Sequence, residues 1–430
     1  MTIYDLFSEE IDEVNGRRER LLLAIAAAFV FVNALALSLA REGRVAWAHL
    51  WGPGVWLLLM AGAHLILQRL RPQRDPFLLP ILALLMGWGV VLIDRLAPNF
   101  LARQVVWVAV GTAVLLIIAV LPQDLRWLRR YRYTWLIGGL ALLAATLLFG
   151  VNPAGYGAAL WLPLPGHIFF QPSELLKILL LVFLASYFDE RESLLRLSHR
   201  EGLLASLPYL APLLLMWGFC MVLLVWQQDL GAATLFFILF LSLLYLSTGN
   251  KWYVLGGLAL LLLAGAIAYK LFPLVALRVD AWWNPWPEAD NRAFQIVQSL
   301  YALASGGVLG QGIGQGFPDY IPVVHSDFAF AAIAEEWGLV GSLGVVAVFA
   351  LLAHRGIRIA LLRKRPFQQY LAAGITILFS AQALLIMGGV TKLLPLTGVT
   401  LPFVSYGGSS LFISSVMAGL LLYLSSQDEG

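Results

Sequence analysis

Charge is what this sequence has least of. Only 12% of its 430 residues are Asp, Glu, Lys or Arg, roughly half the share of an ordinary soluble domain. A single cysteine, Cys220, lies in an apolar run, which excludes a disulfide framework and a cysteine-held metal cluster. The net charge of +3 decides little, because in an apolar chain the placement of charges matters more than their sum. The polar, acidic start, residues 1–16, lacks the pattern of a cleavable signal peptide. What abounds is apolar surface. Hydrophobic residues make up 60% of the chain, and its mean hydropathy is +0.82. No single soluble core hides that much. At about 20 residues per span it suffices for roughly a dozen membrane-crossing helices. A soluble enzyme, a secreted disulfide scaffold and a disordered chain are all excluded.

The apolar residues fall into runs near 21–40, 47–68, 76–95, 103–121, 134–150, 173–187, 207–226, 230–248, 252–270, 327–352, 370–390 and 408–425. They are long and continuous, unlike the alternating ten-residue segments of a membrane barrel. Backbone groups in lipid must be satisfied within each segment, so the runs predict helices. The expectation is an all-α, polytopic membrane bundle of about twelve helices. The run at 173–187 is short and charged, and its ends are the least defined.

Lys and Arg orient the bundle. With the N-terminus in the cytoplasm, nineteen of the 28 basic residues fall inside, in groups such as Arg17, Arg18, Arg20; Arg69, Arg71, Arg74; Arg191, Arg196, Arg200; and Arg355, Arg358, Arg363, Lys364, Arg365. Eight fall outside (Arg41, Arg44, Arg95, Arg103, Lys270, Arg278, Arg292 and Lys392), and Lys177 lies within a span. This bias predicts that both termini are cytoplasmic, with Arg41 and Arg44 a local conflict. The one long outer connection is 271–326, rich in Trp, Pro and Gly. Trp282, Trp283 and Trp286 suit an interfacial aromatic belt, but the loop is too long for a plain connector. Loops of that length are functional or disordered, and its aromatics argue against disorder.

Polar groups at membrane depth are costly and mark function. Glu174 and Lys177 are spaced i, i+3 and can pair on one helix face. Asp229 opens a span, where a carboxylate suits the helix dipole. Glu335 and Glu336 sit one turn into the tenth run, after His325-Ser326-Asp327. Each alone reads as capping or helix glue; as a set they indicate an outward-facing polar cavity on the side of the long loop. The glycine-dense run 305–316 neither follows a strand nor lies on the cytoplasmic side, so a dinucleotide fingerprint is rejected. It reads as a re-entrant turn or as an amide cradle for phosphate. Ser405-Tyr406-Gly407-Gly408-Ser409-Ser410 is either an N-cap with small residues allowing close packing or part of the outer pocket.

The motifs resemble those of the shape, elongation, division and sporulation family, the RodA/FtsW/SpoVE group. They are Phe170-Gln171-Pro172-Ser173-Glu174-Leu175-Leu176-Lys177; Gln228-Asp229-Leu230-Gly231; Arg278 with Trp282 and Asn284-Pro285; Phe294-Gln295 with Gln298-Ser299-Leu300; 305–314; Ile321-Pro322 through His325-Ser326-Asp327-Phe328 to Glu335-Glu336 and Gly338; and Pro395-Leu396-Thr397-Gly398 through Ser410. Order and spacing follow the family from about residue 76 to the C-terminus. The resemblance implies a ten-helix core over 76–430, with 1–75 an added cytoplasmic N-terminus and two extra helices. Three departures stand out. An Arg-Trp is reduced to Leu160-Trp161, a Pro-Asp-Leu-Gly becomes Gln228-Asp229-Leu230-Gly231, and the loop aspartate taken as catalytic falls, by register to Gln295, on Glu288. Asp290 stands two residues on.

The implied activity is peptidoglycan glycosyl transfer from lipid II at the outer face of the cytoplasmic membrane, for cell shape, division or sporulation. A sugar 4-hydroxyl attacks the donor's anomeric carbon and undecaprenyl pyrophosphate leaves. Such inversion requires a base and positive charge at the leaving group. Glu288 or Asp290 fits the base. Lys177, Glu174, Arg278, Arg292, Gln295, Gln298 and Lys392 are the candidates for holding substrate and pyrophosphate. Gln171, Ser173, Asp229, His325, Ser326, Asp327, Glu335, Glu336, Ser405 and Ser409 line the expected cavity. No dedicated metal spacing is present, so a Mg²⁺ or Mn²⁺ ion would ride on substrate phosphates and one or two carboxylates; no organic cofactor is expected. The family also implies a class B penicillin-binding transpeptidase, other elongation or division proteins and membrane lipid as partners, and no nucleic acid. The rival readings are a lipid II flippase, which should show internal repeats and midplane polar sites, and a scaffold for a transpeptidase.

Overall fold

The protein is described by a computed structural model covering residues 3–121, 124–152, 158–165, 168–201 and 203–426; within these, side chains at 3–13, 193–207 and 209 are outside the description. Arg196 and Arg200, counted above, lie among the latter. The described chain is a helix bundle: α1 (Ile3–Glu42), α2 (Trp51–Leu70), α3 (Leu78–Leu96), α4 (Pro98–Val120), α5 (Arg126–Arg130), α6 (Arg132–Phe149), α7 (Pro172–Glu201), α8 (Leu203–Trp226), α9 (Leu230–Thr248), α10 (Lys251–Leu271), α11 (Pro273–Trp283), α12 (Phe294–Gly306), α13 (Ala329–Leu362), α14 (Pro366–Val390) and α15 (Gly408–Ser425). Each of the twelve apolar runs coincides with one of these helices, overrunning its ends by at most four residues. Ten are long and apolar enough to cross a membrane; α7 and α8 are the two outside that number, and α8's described apolar stretch is Leu210–Trp226.

The core explains the order of burial. α3 is the axial helix, with nearly every residue buried, and α7, α9, α14 and α15 pack in the same interior. α10 stands apart, with no residue buried, so its apolar sides face outward. A short antiparallel ribbon, β1 (Leu162–Leu164) against β2 (Ile168–Phe170), leads into α7. That pairing is an addition to the all-helical expectation; three-residue strands carry too little periodicity to be seen in sequence.

The long loop expected on the outer side, 271–326, is built. It contains α11 and α12, each packed back on the bundle: Trp282 Nε1 donates to Lys392 O at 3.2 Å, and Ser299 Oγ to Val390 O at 3.4 Å.

The N-terminal helices are not a loosely tethered pair. The basic link at 69–76, which reads in sequence as a connector between two packing units, is packed against the rest. Arg74 is 4% exposed and pairs with Glu19 at 2.5 Å. Arg71 donates to the carbonyls of Ala119 and Val120 at the end of α4, both at 3.1 Å. His49 meets Asp94 at 2.7 Å, both buried, and the Trp337 indole donates to Asn33 Oδ1 at 2.7 Å. Proline and arginine content indicates a link; it does not report whether the link's charges find buried partners.

Candidate active site

Two polar clusters occupy the end of the bundle that carries α11 and α12, and the segment 391–407 runs through the first. That segment lacks regular structure and holds Lys392 and Phe403 at φ of 60° and 66°. Arg278, half-buried on α11, donates from Nη1 to Thr397 O at 3.2 Å. The carboxylates of Asp327 and Asp229 act on it electrostatically. Asp229 caps α9, its Oδ1 accepting from Ala232 N at 3.1 Å, while its Oδ2 is buried with no hydrogen-bond partner. Asp327 precedes α13 and accepts from the Ser326 hydroxyl at 2.7 Å. Gly398, at φ 73°, lies where an added Cβ would be 3.4 Å from Arg278 Nη2 and 3.7 Å from Asp327 Oδ2. Burial raises the proton affinity of Asp327, opposed by the Ser326 hydroxyl and Arg278. Burial lowers that of Arg278, opposed by Asp327 and Asp229.

The same segment reaches α7 and α14. Glu174 and Lys177 form the ion pair their spacing allows, at 2.7 Å, and Lys177 Nζ also donates to Gln382 Oε1 at 2.9 Å. Gln382 Nε2 in turn donates to Thr400 O at 2.8 Å. Lys177 is 1% exposed, so its ammonium is enclosed and engaged. The Gln171 backbone N–H donates to Ser409 Oγ at 3.1 Å, and its side chain to Ser173 Oγ at 3.1 Å. Ser405 Oγ accepts from Leu401 N at 3.1 Å, closing the turn before α15. His325 lies against Phe100 and Tyr406, and burial lowers its proton affinity.

Glu335 and Glu336 belong to the second cluster. Gly338 breaks α13 at φ 67°, freeing backbone groups that pair with the glycine-rich run. Gln311 N and Gly312 N donate to the carbonyls of Glu335 and Glu336, while Leu339 N and Val340 N donate to those of Gly307 and Val308. Backbones this close leave no room for side chains, and an added Cβ on Gly310 would stand 2.2 Å from Glu336 O. The carboxylates fix the loop further: Gly314 N donates to Glu336 Oε2 at 3.1 Å and Phe317 N to Glu335 Oε1 at 2.9 Å. Arg95, at the end of α3, completes the clamp through Glu336 at 2.7 Å, Asp319 at 3.1 Å and Gly316 O at 2.9 Å. The single outer cavity expected from sequence thus divides into a cluster around Arg278 and one around Arg95. The run is a re-entrant turn, and its Gly314 amide is taken by a protein carboxylate.

Glu288 and Asp290 sit in the turn between α11 and α12, both exposed, and neither makes a side-chain hydrogen bond or ion pair with described residues. Arg292 is exposed beside them and Lys392 half-buried. Gln295 Nε2 donates to Pro322 O at 3.1 Å; Gln298 is half-buried on α12. Sequence reasoning passed over Gln382, Thr397, Thr400 and Arg95. Gln382 carried a signal, a lone amide in an apolar run, whereas Arg95 read as one more loop charge. Among the described residues no group of three or more His, Cys, Asp or Glu is placed to hold a metal ion.

Residues 77–430 match the family model for cell cycle proteins of the FtsW/RodA/SpoVE type. The peptidoglycan glycosyltransferase RodA of Mycobacterium tuberculosis (strain ATCC 25618 / H37Rv) is 37% identical over 421 residues, covering 95% of this chain and 90% of that protein. The probable peptidoglycan glycosyltransferase FtsW of Geobacter sulfurreducens (strain ATCC 51573 / DSM 12127 / PCA) is 37% identical over 340 residues, 77% of this chain and 86% of that one. Among solved structures, a chain of a peptidoglycan synthase complex that coordinates polymerisation and crosslinking aligns with TM-score 0.69 and 28% identity, covering 82% of this chain and 97% of that chain. The rod shape determining protein RodA of Thermus thermophilus aligns with TM-score 0.60 and 26% identity, covering 82% and 96%.

Proposed function

The chain belongs to the FtsW/RodA/SpoVE family of cell cycle proteins, and from that premise we infer that it is an integral membrane peptidoglycan glycosyltransferase. It joins lipid II into glycan strands at the outer face of the bacterial cytoplasmic membrane, with both termini inside. The observation that carries the reading is Arg278, bonded to the Thr397 carbonyl in the field of Asp327 and Asp229, on the helix that leads into a turn presenting exposed carboxylates.

The reaction divides between these groups. The acceptor 4-hydroxyl gives its proton to Glu288 or Asp290, whose exposed carboxylates have no internal partner to displace. Its oxygen attacks the anomeric carbon from the face opposite the pyrophosphate, so the product is inverted. The leaving pyrophosphate departs with the bond electrons and needs cationic help in place of a proton. Arg278 is that cation, held by Thr397 O in the field of two carboxylates, with Arg292 and Lys392 as further cations. Lys177, enclosed by Glu174 and Gln382, braces α7 against α14 and the Thr400 segment without touching substrate. Asp229, whose Oδ2 has no hydrogen-bond partner, and Asp327 would hold a Mg²⁺ or Mn²⁺ ion brought by the pyrophosphate, which would neutralise phosphate charge. A class B transpeptidase fits as partner, because the fold is shared with a chain of a peptidoglycan synthase complex that coordinates polymerisation and crosslinking.

The test is direct. Purified full-length protein, with and without that transpeptidase, is given labelled lipid II in detergent and the glycan products are sized. Polymer dependent on Arg278 and on the Glu288/Asp290 pair supports the assignment. Absence of polymer under both conditions, with lipid II translocation in vesicles intact, would replace it with transport.

A further inference from the structure

The opposite end of the bundle holds a second built feature, which the reaction does not use. Residues 355–363 near the end of α13 lie roughly 40–55 Å along the helix from Asp327, at about 1.5 Å per residue. They meet the α2–α3 link and the end of α15. Two adjoining cavities of ≈250 Å³ each open there, sharing Asn15, Arg74 and Pro76. The second is lined by Arg18, Arg74, Arg355, Arg358 and Arg363, with Asp75 as the one carboxylate among its lining residues.

The carboxylates among the described lining residues are already committed. Asp75 Oδ2 accepts from Arg355 Nε at 2.8 Å, and its Oδ1 from Phe77 N at 2.9 Å. Glu19, which lines the first cavity, is shared between Arg74 at 2.5 Å and His64 at 2.7 Å. Arg18 and Arg358 are exposed and make no ion pair with described residues. Arg74 and Arg363 are only 4% and 6% exposed, and Arg74 Nε is buried with no hydrogen-bond partner. Arginines that merely follow the charge bias of membrane proteins extend into water. Here Arg74 is enclosed with Glu19 as its counter-charge, and five arginines line one cavity around a single carboxylate, a crowding of like charge that a further anion would relieve. The planar guanidinium fork matches phosphate oxygens in pairs, and basic pockets between helix ends at the membrane surface suit phosphate head groups.

We propose that this cavity is a phosphate-binding site, taking the phosphodiester of an anionic lipid head group or the phosphate of a soluble anion. The test uses the delipidated full-length protein in detergent, and measures its thermal midpoint and bound mass by native mass spectrometry. The probes are phosphatidylglycerol, phosphatidylcholine and inorganic phosphate, titrated separately. Arg18→Gln with Arg358→Gln is the variant, because both side chains are exposed and make no ion pair among the described residues, so their loss strands no described buried carboxylate. Phosphatidylglycerol should bind and stabilise the wild type above phosphatidylcholine, and the double variant should need roughly twenty-fold more, at about five-fold per arginine removed. If inorganic phosphate reproduces the shift, the soluble source is identified; if only the lipid does, the head group is. Equal responses of wild type and variant, or no preference of the wild type for either anion over phosphatidylcholine, would overturn the proposal.

Discussion

Arg95 offers the sharpest test of how the outer loop is held, because its three contacts differ in burial. Its guanidinium meets Glu336, whose side chain is 0% exposed, and Asp319, whose side chain is 60% exposed. Arg95→Met keeps the stem's volume and removes the charge. Glu336 is then a buried carboxylate whose remaining support is the Gly314 amide on Oε2. Breaking a buried pair from one side costs about 3–5 kcal/mol. Asp319→Asn removes a solvent-screened contact and should cost less than about 1 kcal/mol. Arg95→Met combined with Glu336→Gln removes both charges and should recover most of the loss, since neutral partners leave no stranded ion. The backbone pairing of 307–312 with the α13 break survives in every variant, so the loop should loosen at 313–320 before it detaches. Thermal midpoints of the detergent-purified variants give the ranking, and hydrogen exchange over 305–320 locates it. The reasoning fails if Arg95→Met and Asp319→Asn are equally mild, or if the double variant is less stable than Arg95→Met alone.

Replacing Glu288 by Gln and Asp290 by Asn together should lower the polymerisation rate about 10²–10⁴-fold, measured with labelled lipid II; a wild-type rate would remove the base from this turn. Lys177→Ala should cost stability before chemistry, and Lys177→Met with Glu174→Gln should be more stable than Lys177→Ala, as melting curves would show; a fully stable Lys177→Ala would dismiss the brace. Gly231→Ala places a Cβ 2.6 Å from Val399 Cγ1 and 2.8 Å from Thr397 O, so it should push the Thr397 segment off Arg278 and depress polymerisation while the protein still inserts; an unchanged rate would show that this contact yields freely. A chain begun at Arg69 leaves Asp94 without His49, Arg74 without Glu19 and Trp337 without Asn33, at about 1–3 kcal/mol per buried orphan; it should insert but melt early, and wild-type stability would show α1 and α2 to be an independent unit. Because burial holds the His325 proton affinity below its ordinary value of 6.5, its neutral form stabilises the fold above that pH. That contribution should fade as pH falls below it, and His325→Gln should flatten the decline in melting temperature between about pH 7 and 5.

Much of this protein is local and therefore legible in the sequence. Continuous apolar runs leave no choice but membrane-embedded helices, since backbone groups in lipid must bond within their own segment. The i, i+3 spacing of Glu174 and Lys177 and the capping position of Asp229 are likewise properties of one helix, visible without neighbours. What joins segments far apart in the chain had to await the fold. Gln382 reaches Lys177 across 205 positions, Arg95 reaches Glu336 across 241, and Arg278 takes its acceptor from Thr397, 119 positions on. No periodicity encodes such pairs, because which helix faces meet is fixed by packing against every other helix at once. The same cause hid the burial of Arg74 and the contacts of α1 and α2 with the core. A charged, proline-bearing link has the composition of a connector whether or not its arginines are enclosed. Only the packed bundle, which leaves those arginines beside Glu19 and the ends of α4 and α13, decides that they are.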